Sequence, residues 1–266
     1  MHNDFYCMLE RPFSKTPDPR FLYLSRGHRE ALARLLYVAE EREIALLTGE
    51  VGCGKTTLSR ALMDTLGDEY RFCFIVNPRL SAVEFLRSIA RAFSPLPPAA
   101  DKESILNQIS DAVFMLHNEG VSAVLVIDEA QLIADREIFD EIRLLTNFQL
   151  DDRNLITIII MGQPELRTML ANPVFEPLRQ RITMQFHLAP LEMDDVQEYL
   201  DCRLEVAGGE PGLFSPDAVQ RIYELSAGVP RRINQIATNA ILEGYGRDVA
   251  LIDSAVVDAV AAELLL

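Results

Sequence analysis

The chain has 266 residues, enough for one large domain or for a mid-sized domain with a small one. Apolar residues make up 49% of it, so a substantial core can be buried, which argues against wholesale disorder. Its 25 basic and 40 acidic residues give a formal net charge of −15. This charge argues against nucleic acid as the main ligand, because phosphate neutralisation needs Lys and Arg on the contact face.

The first residues, Met1 to Asp4, contain neither a basic n-region nor an apolar h-region, so the sequence predicts no signal peptide. The longest apolar runs, such as VSAVLVI at 121–127, are far shorter than the ~20 residues of a membrane span. The four cysteines form no CxxC pair and predict free thiols in a reducing compartment. Together these features predict a cytoplasmic chain.

Over residues 1–190, short β-branched runs alternate with amphipathic helical stretches, the pattern of a parallel sheet with helices on its faces. Strands are predicted over 43–48, 71–76, 122–127, 155–161 and 183–187. Helices are predicted over 55–66, 81–93, 102–118, 135–147 and 164–180. The sequence therefore predicts an α/β nucleotide-binding core with a three-layer parallel sheet.

After residue 190 the β-runs stop, and only helical patterns follow. Helices are predicted over 193–206, 216–226, 230–244 and 252–264. Ser215 before Pro216 is a typical helix start, with an N-cap residue before proline at the first helical position. Residues 191–266 are therefore predicted to form a small all-α lid domain.

Residues 49–56 fit the phosphate-loop pattern GxxxxGK[ST], with an apolar strand before them and a helix after them. Glycines let the backbone curl so that N–H groups point at the β-phosphate, and the helix N-terminus adds a favourable potential. We expect Lys55 to reach the β- and γ-phosphates and the Thr56 hydroxyl to bind Mg²⁺. Cys53 is interpreted as a small residue packed beneath the loop rather than as a redox switch. The predicted nucleotide-binding residues here are Gly49, Glu50, Val51, Gly52, Cys53, Gly54, Lys55, Thr56 and Thr57.

The strand at 122–127 ends in two carboxylates, Asp128 and Glu129. At that position Asp128 is predicted to hold Mg²⁺ through water, and Glu129 to act as the general base on the attacking water. A lone Asp-Glu pair is commonly a solvated strand end, but its combination with the phosphate loop favours the catalytic interpretation.

The next apolar strand ends before Gln163, a candidate to contact the γ-phosphate or its water, with helix capping as the alternative. Arg179 and Arg181 end the helix before the last strand, and at least one is expected to reach a neighbouring subunit's γ-phosphate. The alternative is a surface arginine near a helix C-terminus, where cations are favoured. Arg231 lies at the start of a predicted helix, where the helix dipole repels a positive charge. This placement favours an anion such as bound nucleotide opposite Arg231.

These motifs in this order, followed by helices, resemble an AAA+ ATPase. Six stretches together closely resemble the ExeA/GspA family, the ATPases associated with type II secretion, which are related to pilus and exopolysaccharide-export ATPases. They are PFSKTPDPRFLYLSRGHREALARLLYVAEE, LLTGEVGCGKTTL, VLVIDEAQ, GQPEL, LRQRI and GVPRRIN. The resemblance covers essentially the entire chain. It implies that residues 12–29 pack near the adenine of ATP and that Phe21, Leu22 and Tyr23 help to form its pocket, with an N-terminal hydrophobic staple on the core as the alternative.

Longer members of this family continue into a membrane span and a periplasmic peptidoglycan-binding domain, pair with an inner-membrane partner of the GspB kind, and help the outer-membrane secretin to assemble. The resemblance therefore implies a homo-oligomer, with a ring as one form of it, at the inner face of the inner membrane. This chain ends at Leu266 without either segment, so we expect membrane association to need a partner or a further C-terminal segment.

Three functions stay open at this point. The first is an ATP-hydrolysing motor or switch that serves assembly of an envelope-spanning complex. The second is a DNA-associated AAA+ ATPase of the transposition-regulator type, which shares the core and much of the motif order but needs basic surface that the net charge argues against. The third is a scaffold that binds nucleotide in order to assemble and barely turns it over.

Overall fold

A computed structural model describes residues 2–14, 18–150 and 153–264 of the chain. The helices are α1 His2–Phe5, α2 Arg26–Glu41, α3 Lys55–Leu66, α4 Ala82–Phe93, α5 Lys102–Asn118, α6 Arg136–Leu145, α7 Glu165–Leu170, α8 Glu176–Arg179, α9 Met193–Val206, α10 Pro216–Ser226, α11 Pro230–Gly246 and α12 Ser254–Leu264. The strands are β1 Ile44–Gly49, β2 Tyr70–Ile75, β3 Ser122–Ile127, β4 Gln149–Leu150, β5 Arg153–Asn154, β6 Ile156–Gly162 and β7 Met184–Leu188. Over these ranges, no helix is both long enough and apolar enough to cross a membrane.

Five strands form one parallel sheet in the order β2-β3-β6-β1-β7, while β4 and β5 pair as a separate antiparallel hairpin. The three central strands are buried along almost their whole length, as expected for apolar strands covered on both faces. The carboxyl ends of parallel strands meet at one end of the sheet. At that end β1 leads into the loop before α3, β3 into Asp128, and β6 into Gln163. The predicted α/β fold class is confirmed, and the named strands all lie before Ala189.

Several helices begin where the sequence places a side-chain cap. Ser81 and Glu84 form a reciprocal capping box at the start of α4, and Ser215 caps α10 before Pro216. The single helix predicted over 164–180 is wrong. The structure has α7, a 3-10 turn at Pro173–Phe175, and α8, because proline 173 lacks an N–H and the side chain of Asn172 caps the turn. Helix α2, with an apolar stripe that includes Leu35 and Val38, was not predicted.

The chain divides into two compact units, and the first contains the sheet. This sheet unit comprises the described residues of His28–Gly49 and Leu58–Leu188. Its core is built from buried side chains of the strands and of the helices that follow them, and each large apolar side chain buried in this way contributes about 1.5–3 kcal/mol. Examples are Phe85, Leu86, Ile89, Ile105, Ile109, Leu125, Ile138, Ile142 and Ile158. This rigid sheet fixes the positions of the side chains at its carboxyl end.

The second, helical unit contains the described residues up to Gly27, the loop Glu50–Thr57, and the chain from Ala189 onward. Its core combines apolar side chains of α9–α12 with Tyr6, Met8 and Phe13 of the N-terminal segment. Main-chain pairing adds to this packing, since the Leu9 N–H donates to the Ala207 carbonyl at 2.8 Å. The N-terminal segment therefore shares a hydrophobic core with the C-terminal helices. The domain boundary at residue 190 stays a prediction.

Arg203 of α9 binds the N-terminal segment through hydrogen bonds and aromatic contacts within the helical unit. This arginine is only 8% exposed, and its guanidinium donates to the Pro12 carbonyl at 2.8 Å and to the Phe21 carbonyl at 3.3 Å. The same group lies over the rings of Phe13, Phe21 and Tyr199 at 5.9, 5.0 and 5.5 Å from their centroids. Its charge is thus balanced by carbonyl oxygens and aromatic faces. Residues 15–17 of the expected adenine-side stretch 12–29 lie outside the described residues.

Candidate active site

The loop between β1 and α3 has the backbone shape of a phosphate cradle. Gly52 and Gly54 have φ values of +87° and +97°, which glycine adopts without steric cost. Lys55, the first residue of α3, is only 5% exposed, and its Nζ donates to the Glu50 carbonyl at 3.0 Å across the loop. A buried ammonium group and the N-terminus of a three-turn helix both favour an anion at this loop.

Cys53 lies inside this loop and is fully buried. Burial raises the pKa of its thiol, because the thiolate is poorly solvated there, while the charge of Lys55 acts in the opposite direction with a smaller effect. The protonated thiol is therefore the form present near neutral pH. This agrees with the interpretation of Cys53 as a packing residue.

Arg231, the second residue of α11, lies against the phosphate loop within the helical unit. Its backbone N–H donates to the Gly52 carbonyl at 3.3 Å, and a Cβ atom added at Gly52 would lie 2.5 Å from the Arg231 Cβ. The residue itself is exposed. The N-terminus of a second helix thus joins that of α3 at the loop, and the anion-binding role of Arg231 stays a prediction.

The carboxylates after β3 occupy different environments. Asp128 is 4% exposed, its N–H donates to the Ile75 carbonyl at 2.9 Å, and its Oδ1 accepts from the Glu129 N–H at 2.8 Å. Glu129 is half-buried and takes a left-handed backbone conformation with φ +52°. Such a conformation is costly for a residue with a Cβ atom, and it is often found at functional sites.

Gln163 lies beside Glu129, because β3 and β6 are neighbours in the sheet. Its Nε2 donates to the Glu129 Oε2 at 3.1 Å, and its side chain does not cap α7. The predicted pair of a carboxylate and an amide at the carboxyl end of the sheet is therefore brought together. The alternative interpretation of Gln163 as a helix cap is wrong.

Sequence reasoning missed Gln131, which joins this pair. Its Nε2 donates to the Glu129 Oε2 at 2.5 Å, and its Oε1 accepts from the Gln163 N–H at 3.0 Å. The available signal was the amide two residues after Glu129 in the stretch Asp-Glu-Ala-Gln. Spacing by itself did not reveal it, because the 3-10 turn at Ala130–Leu132 is what folds Gln131 back towards the glutamate.

The two arginines before β7 make different contacts. Arg179 pairs with Glu176 and donates to the Ala171 carbonyl at 3.4 Å, and 40% of its side chain is exposed. Arg181 holds the C-terminal end of α6, where it donates to the Thr146 hydroxyl, to the Arg143 carbonyl at 3.1 Å and to the Asn147 Oδ1 at 2.8 Å. Of the two, Arg179 has contacts that cost less to exchange for a contact with another subunit, since ion pairs at a surface are weak.

The residues expected at the adenine lie in the helical unit. Phe21 is 4% exposed, and Leu22 and Tyr23 are half-buried. The Tyr23 hydroxyl donates to the Glu198 Oε2 at 2.7 Å and lies 3.2 Å from the Asp195 Oδ1. Burial, followed by these acidic neighbours, raises the pKa of Tyr23. Tyr23 therefore ties the N-terminal segment to α9.

Thr56 in the helical unit and Asp128 in the sheet unit are the two predicted magnesium ligands. Thr56 presents a hydroxyl at the start of α3, and Asp128 presents a carboxylate after β3. Hydroxyl and carboxylate oxygens are ligands that Mg²⁺ prefers, and this ion is usually bound through one or two protein oxygens together with phosphates and water. Each of these two oxygens, taken by itself, is thus of the kind that the predicted ion accepts as a ligand.

Comparison with known proteins places this site in a family. The AAA domain family matches residues 38–170, which is half of the chain. General secretion pathway protein A of Aeromonas hydrophila is 39% identical over 249 residues, which cover 93% of this chain and 45% of that protein. The chain thus spans less than half the length of this relative. The predicted resemblance to the ExeA/GspA family is confirmed.

Solved structures share the fold at low identity. The Cdc6 protein of Pyrobaculum aerophilum is 20% identical with a TM-score of 0.67, covering 91% of this chain and 67% of that one. Drosophila ORC bound to DNA is 16% identical with a TM-score of 0.73, covering 96% and 64%. The RuvB Holliday junction branch migration motor of Thermotoga maritima is 19% identical with a TM-score of 0.63, covering 91% and 70%. With its phosphate loop, its parallel five-stranded sheet and the match over residues 38–170, the chain belongs to the AAA domain family.

Proposed function

We propose that this chain binds ATP with Mg²⁺, hydrolyses it to ADP and phosphate, and acts as a homo-oligomer in the assembly of an envelope-spanning secretion complex. The observation that carries the hydrolysis step is the Glu129 carboxylate held beside Gln163 at the carboxyl end of the sheet. A protein that only binds nucleotide needs no general base at this position.

The residues divide the reaction between them. The loop N–H groups and Lys55 bind the phosphates, while Gln163 orients the attacking water. Glu129 accepts a proton from this water while the water oxygen forms a bond to the γ-phosphorus. The bond from that phosphorus to the bridging oxygen breaks, and ADP leaves with the electron pair. Bound Mg²⁺, held by Thr56 and Asp128, would neutralise phosphate charge.

Charge on the transferred phosphoryl group is proposed to be stabilised by Arg231 and by at least one of Arg179 and Arg181. Arg231, whose backbone contacts the phosphate loop, acts within the same chain. Arg179 or Arg181 acts on the nucleotide of a neighbouring subunit, an arrangement that makes hydrolysis depend on oligomerisation. Arg179 is the better candidate of the two, because Arg181 is committed to the end of α6 by three hydrogen bonds.

The role in secretion rests on the 39% identity with general secretion pathway protein A. Because the chain spans 45% of that relative, its partner and location belong to the proposal. We propose an inner-membrane partner of the GspB kind and a position at the inner face of the inner membrane. DNA is bound in the Drosophila ORC structure with this fold, but at 16% identity that structure shows the fold alone.

Phosphate release by the parent chain and by Glu129→Gln tests the hydrolysis step. We expect the variant to bind ATP and to hydrolyse it at least about 100-fold more slowly, since a positioned general base contributes 10²–10⁴-fold. Glu119→Gln, an exposed charge-matched change after α5, should keep the parent rate. Equal rates for Glu129→Gln and the parent would contradict the assignment.

Light scattering on the same proteins tests assembly. We expect Mg·ATP, but not ADP, to shift the mass of Glu129→Gln to a closed oligomer, because this variant traps the ATP state. A gel-shift with and without ATP at low salt tests the alternative of a DNA-associated ATPase. Strong ATP-dependent binding of DNA would favour that alternative over the secretion role.

A further inference from the structure

The amide of Gln131 has one orientation that satisfies both of its neighbours. Its Oε1 faces the backbone N–H of Gln163 at 3.0 Å, and a backbone N–H can only donate. Its Nε2 faces the Glu129 Oε2 at 2.5 Å, and an ionised carboxylate can only accept. Rotating the amide by 180° would set donor against donor and acceptor against acceptor. The contact with the main chain therefore fixes the N–H group that Gln131 presents to Glu129.

The three residues close a ring of hydrogen bonds that links the ends of β3 and β6. Gln163 completes it by donating its own Nε2 to the same Glu129 oxygen at 3.1 Å. The two amide donors differ in how they are held. Gln131 is anchored on the main chain of Gln163, whereas the Gln163 side chain can turn away without breaking that anchor. Contact of the Gln163 amide with phosphate or water thus leaves Glu129 with one donor.

Packing leaves little room for Gln131 to move. A Cβ atom added at Gly162 would lie 2.7 Å from the Gln131 Oε1, so the amide occupies the space above this residue. Gln131 is half-buried, as is Glu129. An amide confined in this way restricts the rotation of a carboxylate whose own backbone is already in the left-handed region.

We propose that Gln131 is a positioning residue for ATP hydrolysis, holding the Glu129 carboxylate in place when the Gln163 amide engages the γ-phosphate or its water. This inference rests on the proposed function, in which Glu129 is the general base. Gln131 contacts neither nucleotide nor water in this role. Its loss should therefore lower kcat and leave nucleotide affinity unchanged.

The test measures kcat, KM, ADP affinity and the pH–rate profile for the full chain and two variants. Gln131→Met keeps the length of the side chain and removes both hydrogen bonds. We expect kcat to fall about 10–100-fold with KM unchanged, the range found when a residue that orients a metal ligand is lost. Gln131→Glu still accepts from the Gln163 N–H but sets a second carboxylate against Glu129. In the pH–rate profile of Gln131→Glu we expect the acid limb to move to higher pH, because two adjacent carboxylates share a proton.

Gln220→Met is the matched control. It also removes an amide-to-carboxylate hydrogen bond, at 3.2 Å to Glu224 on the exposed face of α10, and it should keep the parent kinetics. The inference is overturned if Gln131→Met keeps kcat within about twofold of the parent value. It is also overturned if both variants lose kcat only together with thermal stability and ADP affinity, since that is a structural role. A parent chain that does not hydrolyse ATP would contradict the proposed function itself, whereas an inactive Glu129→Gln beside a fully active Gln131→Met would contradict this inference alone.

Discussion

Replacement of Gly52 by alanine tests whether the phosphate loop and α11 depend on each other. Gly52 has φ +87°, where a Cβ atom costs about 1–2 kcal/mol. In addition, the new Cβ would lie 2.5 Å from the Arg231 Cβ, about 1 Å closer than carbon atoms normally approach. The loop or the start of α11 must therefore move, and we expect ATP affinity to fall at least about tenfold, which corresponds to 1.4 kcal/mol.

Gly212→Ala separates the two costs. Gly212 lies in the same unit with φ +83°, but a Cβ atom there has no neighbour within 4 Å. The free energy of unfolding of Gly212→Ala should fall by about 1–2 kcal/mol, because of the backbone conformation alone. This variant should bind ATP as the parent does. Titration with a fluorescent ATP analogue, together with urea unfolding, measures both quantities. Equal ATP affinity and equal stability of the two variants would refute the close approach of Arg231 to the loop.

Three further predictions concern residues outside that contact. Arg203→Met should lower the free energy of unfolding by about 3–5 kcal/mol, because two buried carbonyls lose a charged donor, and urea unfolding measures it. Arg181→Ala should lower the free energy of unfolding by about 1–2 kcal/mol, because it removes the hydrogen bonds at the end of α6. Arg179→Ala should keep the free energy of unfolding within about 0.5 kcal/mol of the parent and should slow ATP hydrolysis only where the chain oligomerises. The opposite pattern would make Arg181 the arginine that acts on the neighbouring subunit and Arg179 the structural one. Burial raises the pKa of the Cys73 thiol to about 12, so iodoacetamide at pH 8 should label the exposed Cys7 first and reach Cys73 only after unfolding, as peptide mass mapping would show.

The sequence by itself determined the α/β class, all five strands of the parallel sheet and the phosphate loop. These features depend on local patterns: apolar runs short enough for strands, glycines before a helix, and carboxylates after a strand. The run at 122–127 is apolar enough to form a strand in any context, and it appears as β3 within the predicted bounds. The same local reasoning failed over 164–180, where a 3-10 turn capped by Asn172 separates α7 from α8.

Only the tertiary structure decided which side chains meet at the carboxyl end of the sheet. Glu129 and Gln163 are 34 residues apart in the chain, and they touch because β6 pairs with β3. Arg179 and Arg181 look equivalent in the sequence, yet only one of them holds the end of a helix that ends 36 residues earlier. Such contacts depend on strand order and on packing between elements distant in the chain, and no local pattern encodes them.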